Sequence, residues 1–205
     1  MALAADHPEH EQLILLSALS ILWLRPQDPQ AKILLQRYQA CGYPPEALRE
    51  TALQLFLLAG FQTSLEATFQ IRDVFGTGIL SYEGEFNASH WLERGRELQA
   101  KVYRENVVKL RRNLTDSSEE LAQWTVLVGY GLVMSRPGLR PYWRELLEVA
   151  VLVVQRFPRQ LHSHLRGALN LGAAREEIEL ILSLAAMFAS ESGSKSAWQM
   201  WRHIR

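Results

Sequence analysis

The stretches Arg136–Val154 (RPGLRPYWRELLEVAVLVV) and Leu161–Leu182 (LHSHLRGALNLGAAREEIELIL) decide the fold. Their apolar residues recur every three to four positions, which is the period of a helix with one buried face, and strand alternation is almost absent. Pro158 separates the two runs, and Gly172 stands where a left-handed residue closes a helix. This spacing predicts helices over Leu139–Phe157 and Arg159–Leu171, then over Ala174–Ala189 and Gly193–His203.

The same reading extends toward the amino terminus. Glu9–Leu24 is a helical stretch stopped by Pro26 and Pro29, and Gln30–Cys41 is the next, capped by Gly42. Pro44 and Pro45 open a helix over Glu46–Gly60, because proline's missing N–H costs nothing in a first turn. Another helix covers Ser64–Phe75. Gly76–Phe86 (GTGILSYEGEF) carries three glycines and no helical period, so it reads as a linker. Asn87 or Ser89 caps a charged helix running to about Leu114. Thr115–Ser118 followed by Glu119 and Glu120 is an N-terminal capping signature for a helix reaching Ser135.

The order of elements repeats. Pairing Gly42 with Gly172 sets an offset of 130 residues, at which Gln30/Gln160, Leu35/Leu165, Glu46/Glu176, Ala59/Ala189, Ser64/Ser194, Ala67/Ala197 and Arg72/Arg202 are also identical. The glycine cap, the helix start and the apolar positions recur in step. The expectation is an all-α protein built from two copies of one four-helix unit: residues 1–75 as a plain first copy, 76–86 as linker and 87–205 as the second copy.

Composition narrows the function. In 205 residues, 48% are apolar and 21% charged, the balance of a globular chain. Twenty-two basic residues offset twenty-two acidic ones, so no net field gathers nucleic acid, and self-association meets little charge repulsion. The single cysteine, Cys41, excludes an intrachain disulfide and any Cys-x-x-Cys site; it reads as a small buried apolar residue. The run Leu13–Leu24 is too short to cross a bilayer, which needs about 20 apolar residues. Residues 1–10 hold no Lys or Arg, so a cytoplasmic location is expected. No phosphate-binding glycine loop, dinucleotide fingerprint, Gly-x-Ser-x-Gly elbow or His-Glu-x-x-His occurs.

The Ser-Arg-Pro-Gly-Leu turn and the His-x-x-x-Ala-Leu-x-x-Gly stretch from His164 to Gly172, followed by Glu-Glu-Ile, resemble the carboxymuconolactone decarboxylase and alkyl hydroperoxidase D superfamily, and its decarboxylase branch in particular. The resemblance covers about Glu93–Trp201. It implies an all-helical fold, a homo-oligomer (dimer, trimer or hexamer) and a small-molecule substrate; such a decarboxylation demands no cofactor or metal, and the charge balance and short apolar run leave no nucleic-acid or membrane partner expected. In the peroxidase branch two cysteines precede the histidine that His164 matches, and those positions here hold Phe157 and Gln160. The resemblance therefore does not extend to thiol peroxidase chemistry. The decarboxylase branch's Trp-Gly-Glu-x-Trp pattern is replaced by Tyr130–Met134 (YGLVM), which implies a different substrate and a less polar pocket, or none.

The resemblance implies His164 and Glu145 as the catalytic pair. Loss of carbon dioxide beside a lactone leaves electrons that must move onto a carbonyl before protonation. Histidine suits the proton transfer, and arginine suits the substrate's carboxylates. Arg136, Arg144 and His162 are the expected substrate-binding residues. Each has a plain reading too: His164 as a core histidine bonded to a carbonyl, Glu145 in a salt bridge, Glu148 on a polar face or against an arginine, Arg136 tying down the Pro137–Gly138 turn. His162, two residues from His164, points to another helix face and makes a poor metal chelate with it. Two functions compete: a small decarboxylase or related lyase, and a non-catalytic ligand-binding or assembly module.

Overall fold

The computed structural model describes residues 8–25, 28–77 and 86–204, and no strand occurs among them. The helices are α1 (Pro8–Leu22), α2 (Pro29–Ala40), α3 (Pro45–Phe75), α4 (Ala88–Tyr103), α5 (Val107–Ser117), α6 (Glu119–Trp124), α7 (Pro141–Gln155), α8 (Pro158–Asn170), α9 (Arg175–Ala186) and α10 (Glu191–His203). The protein is all-α. Residues 78–85 of the expected linker lie outside the described residues.

The sequence signals act where they stand. Asp28 accepts from the Gln30 N–H at 3.0 Å, Asn87 accepts from Ser89 and His90, and Ser118 accepts from Leu121. Each side chain satisfies a first-turn donor that the helix leaves unpaired. Proline occupies the first turn of α2, α3, α7 and α8. Gly42 (φ 71°) and Gly172 (φ 96°) follow α2 and α8 in left-handed conformations.

Three local features differ from the sequence reading. The two helices expected at 46–60 and 64–75 form one hydrogen-bonded run, α3, kinked at Gly60 (φ 86°). The charged helix stops at Tyr103, where Arg104 takes φ 48° and a short 3-10 turn leads into α5. Beyond Trp124, α6 widens into a π-helical stretch, Thr125–Met134, with the Ser135 N–H reaching back to the Tyr130 carbonyl at 2.9 Å.

α7 lies at the centre. Every residue from Trp143 to Val153 is buried, as expected for a helix packed on all sides. It packs against α1, α3, α8, α9 and α10. One hydrophobic core runs from Leu13, Leu16 and Leu19 on α1 through Leu48 and Leu55 on α3 to Leu146, Val149, Leu165 and Ile181. Residues from both halves of the sequence therefore share it. A smaller cluster of Leu98, Val102, Tyr130 and Met134 joins α4 to the π-helical stretch. Glycines set that spacing: a Cβ on Gly131 would collide with the Trp91 carbonyl oxygen, and one on Gly95 with the Val126 carbonyl oxygen. No described helix is long and apolar enough to cross a membrane.

Candidate functional site

A helix buried all round has no place for unpaired charge, yet α7 carries Arg144, Glu145 and Glu148, all buried. Glu145 and Glu148 are three residues apart, so their carboxylates share one face. α8, packed against α7, brings His164 to that face. Glu145 Oε2 lies 2.8 Å from His164 Nδ1, and Glu148 Oε2 lies 2.8 Å from His164 Nε2. The imidazole is gripped at both nitrogens. Gly167, one turn further along α8, makes this possible, because a Cβ there would collide with Glu145 Oε2.

Two acceptors facing one ring favour the form that donates from both nitrogens. Burial disfavours the imidazolium, but the Glu148 and Glu145 carboxylates outweigh it and hold His164 well above its ordinary range. Burial, only partly offset by His164, raises the Glu145 carboxyl. Its second oxygen, Oε1, has no hydrogen-bond partner among the described residues. The trio is therefore one hydrogen-bonded cluster of ionisable groups largely withdrawn from water, with the His164 side chain keeping 15% exposure.

Phenols lie beside it. The Tyr130 hydroxyl donates to the Tyr103 hydroxyl at 3.1 Å. Burial raises both, and for Tyr103 the His164 charge works against that rise. On the other side Gln54 of α3 donates to Glu148 Oε1 at 3.3 Å and to the Arg144 carbonyl at 2.8 Å.

Arg136 and Arg144 do not converge with His164. Both end on Glu50 of α3: Arg136 through Nε and Nη2 at 2.9 and 3.0 Å, Arg144 through Nη2 at 2.8 Å. Arg49 approaches the same carboxylate at 3.1 Å. A buried carboxylate is the stronger claim on a desolvated guanidinium than open space, which explains the departure from the expected substrate-binding role. Burial pushes Glu50 up, but the Arg136 and Arg144 hydrogen bonds prevail and hold it below the usual carboxylate range. His162 is exposed, on a different face of α8 from His164. Phe157, at one of the positions of the superfamily's cysteines, is 51% exposed and fills no site. Cys41 lies apart, its Sγ 3.7 Å from Glu11 Oε1, and burial and that carboxylate push its thiol up.

Glu148 is the residue the sequence reading misplaced. It was expected on a polar face or against an arginine, and it binds His164 instead. The usable signal was a second glutamate, one turn after the first, inside the unbroken apolar run LLEVAVLVV.

Residues 119–202, which include the whole trio, match the Carboxymuconolactone decarboxylase family. The chain is similar to 4-carboxymuconolactone decarboxylase of Acinetobacter baylyi, 28% identical over 113 residues that cover 55% of this chain and 84% of that protein. It is also similar to peroxisomal protein 2 of Schizosaccharomyces pombe, 32% identical over 102 residues covering 49% of this chain and 48% of that one. The Saccharomyces cerevisiae protein of the same name is 29% identical over 105 residues, covering 51% of this chain and 37% of that one. The chain thus matches less than half the length of either peroxisomal relative.

Proposed function

We propose that the protein, whose residues 119–202 match the carboxymuconolactone decarboxylase family, is a cofactor-independent decarboxylase or related lyase acting on a small carboxylated lactone or keto acid, with Glu145, His164 and Glu148 handling the proton. One observation carries this reading: an imidazole bound at both nitrogens by buried carboxylates, partly open to its surroundings. Removing three ionisable groups from water costs several kcal/mol per ion before pairing, and apolar residues of similar size fill such a site at less cost. Chemistry is a reason to keep the charges.

In the proposed reaction the carbon–carbon bond to the leaving carboxylate breaks and its electron pair moves onto the lactone or ketone carbonyl. His164 then returns a proton to the carbon. An imidazolium held this far above its ordinary range is a weak acid, so it delivers the proton only as one of its two carboxylate bonds loosens. One proton taken up from solvent then restores His164, so the carbon gains one hydrogen for each carbon dioxide released. Substrate binding by Arg136, Arg144 or His162 finds no support in the geometry, since Glu50 holds both arginines and His162 faces outward.

A second reading is a non-catalytic ligand-binding or assembly module. What favours it is that both His164 nitrogens are already bound by carboxylates and both arginines are paired with Glu50. Assembly as a homo-oligomer is compatible with either reading. The sequence reading places the protein in the cytoplasm, and the names of the two peroxisomal relatives make the peroxisome the compartment to test against it.

Decarboxylation of carboxymuconolactone, followed by ultraviolet absorbance with His164→Ala in parallel, separates the two. Turnover by the wild type that falls by about 100-fold or more in the variant supports the enzyme, since general acid catalysis commonly contributes that much. No turnover under conditions where the A. baylyi enzyme works removes this substrate and shifts the weight to the module.

A further inference from the structure

We propose that Gln54, contributed by α3 from the amino-terminal half, is a positioning residue of the site: its amide fixes the Glu148 carboxylate against His164 Nε2, so the centre is completed only by a helix outside the family-matching segment. The inference rests on the reading of Glu145, His164 and Glu148 as the working centre.

The geometry is specific. Gln54 is 1% exposed, on the stretch of α3 before its kink. Its Nε2 faces two acceptors, the Arg144 carbonyl at 2.8 Å and Glu148 Oε1 at 3.3 Å. Two acceptors demand the nitrogen there, which fixes the amide's orientation, and Oε1 has no partner among the described residues. The short bond to Arg144 O anchors the amide on α7 one turn before Glu148. The longer one restrains Glu148 Oε1, leaving Oε2 for His164. Arg144 itself is held by Glu50, four residues before Gln54 on α3. One face of one helix therefore secures both the arginine below the site and the carboxylate within it.

The Gln54 amide holds the Glu148 carboxylate in place, and that carboxylate favours the imidazolium. The groups facing His164 are Glu145 and Glu148 from α7, with Tyr103 of α4 and Tyr130 of the π-helical stretch close by. Only Glu148 is touched by Gln54.

The test is the pH titration of His164 ring nitrogens by NMR in the full-length protein. Gln54→Met, close in shape but without donors, is expected to lower the His164 midpoint by about 0.5 to 1. In a Glu148→Gln background the same change is expected to do nothing further, because the carboxylate charge it acts through is gone. Gln54→Asn, which keeps an amide on a shorter arm, gives the same direction and provides the reading should the methionine variant not fold. Ser64→Ala is the control, removing a buried hydrogen bond from Ser64 Oγ to the Ala52 carbonyl on the same helix, away from the site. An unchanged midpoint in folded Gln54 variants, or an equal shift in Ser64→Ala, overturns the proposal. Because the readout is a titration, it stands or falls whatever the decarboxylation assay returns.

Discussion

Gly167 stands one turn beyond His164, and the absence of a side chain there is what lets α8 approach the Glu145 carboxylate. A Cβ at this position would collide with Glu145 Oε2 and lie 3.0 Å from Val102 Cγ1. Gly167→Ala regains about 1 kcal/mol of helix propensity but overfills the contact at a cost of about 1–3 kcal/mol. The expected outcome in urea denaturation is a lower midpoint, although alanine is the better helix former. A higher midpoint would mean that the carboxylate has room to move aside. Residue identity also explains what the sequence showed least well here. Glu145 and His164 are singled out by the family positions they match, without their contact, whereas Arg136 and Arg144 are assigned to substrate because their partner, Glu50, lies 86 and 94 residues away in the chain. Pairing over that distance leaves no local pattern to read.

Among the elements, the π-helical stretch is the departure that matters most for the site, because it carries Tyr130. Such stretches are rare and frequently found at functional sites. Ordinary apolar residues and two glycines (TVLVGYGLVM) wrote it, so nothing in the helical period distinguished it from an α-helix. Its distinguishing contact is tertiary: Gly131 against the Trp91 backbone and Gly95 against the Val126 backbone. The atoms in the way are main chain and cannot rotate aside. Gly131→Ala is expected to cost about 3 kcal/mol or more, at the upper end for overpacking, and to separate Tyr130 from Tyr103. Gly129→Ala, where a Cβ meets nothing within 4 Å, is the matched control and is expected to be neutral or stabilising in the same denaturation experiment. Equal losses from both would trace the effect to helix form rather than to the contact. By contrast, Asn87, Ser118, Gly42, Gly172 and the first-turn prolines were readable at once, since caps act within a few residues of themselves.

Over the whole molecule, Glu50 joins the halves of the chain. Removing one partner from a buried ion pair strands the others, at a cost of about 3–5 kcal/mol, so Glu50→Gln is expected to lower the melting temperature sharply at pH 7. The dependence on acidity has a definite sign. Glu50 titrates below its ordinary value of 4.5, so its contribution is present above that value and is lost as the pH falls through its lowered folded value. His164 acts in the opposite sense: raised above its ordinary 6.5, its contribution is complete below that and is lost as the pH rises through its folded value. Melting curves from pH 7 to pH 3 should therefore show wild type and Glu50→Gln converging in acid. A constant difference between them would remove Glu50 as the acid-sensitive link.

The shared core and the Glu50 contacts carry a consequence for how such a domain can be inherited or transplanted. The segment that matches the family begins at residue 119, yet the carboxylate that pairs with its Arg136 and Arg144 is encoded some seventy positions upstream. The segment that matches the family is thus smaller than the set of helices that shares its core. Moving the matching segment alone would carry Glu145, Glu148 and His164 while leaving behind Glu50 and the leucines of α1 that share its core.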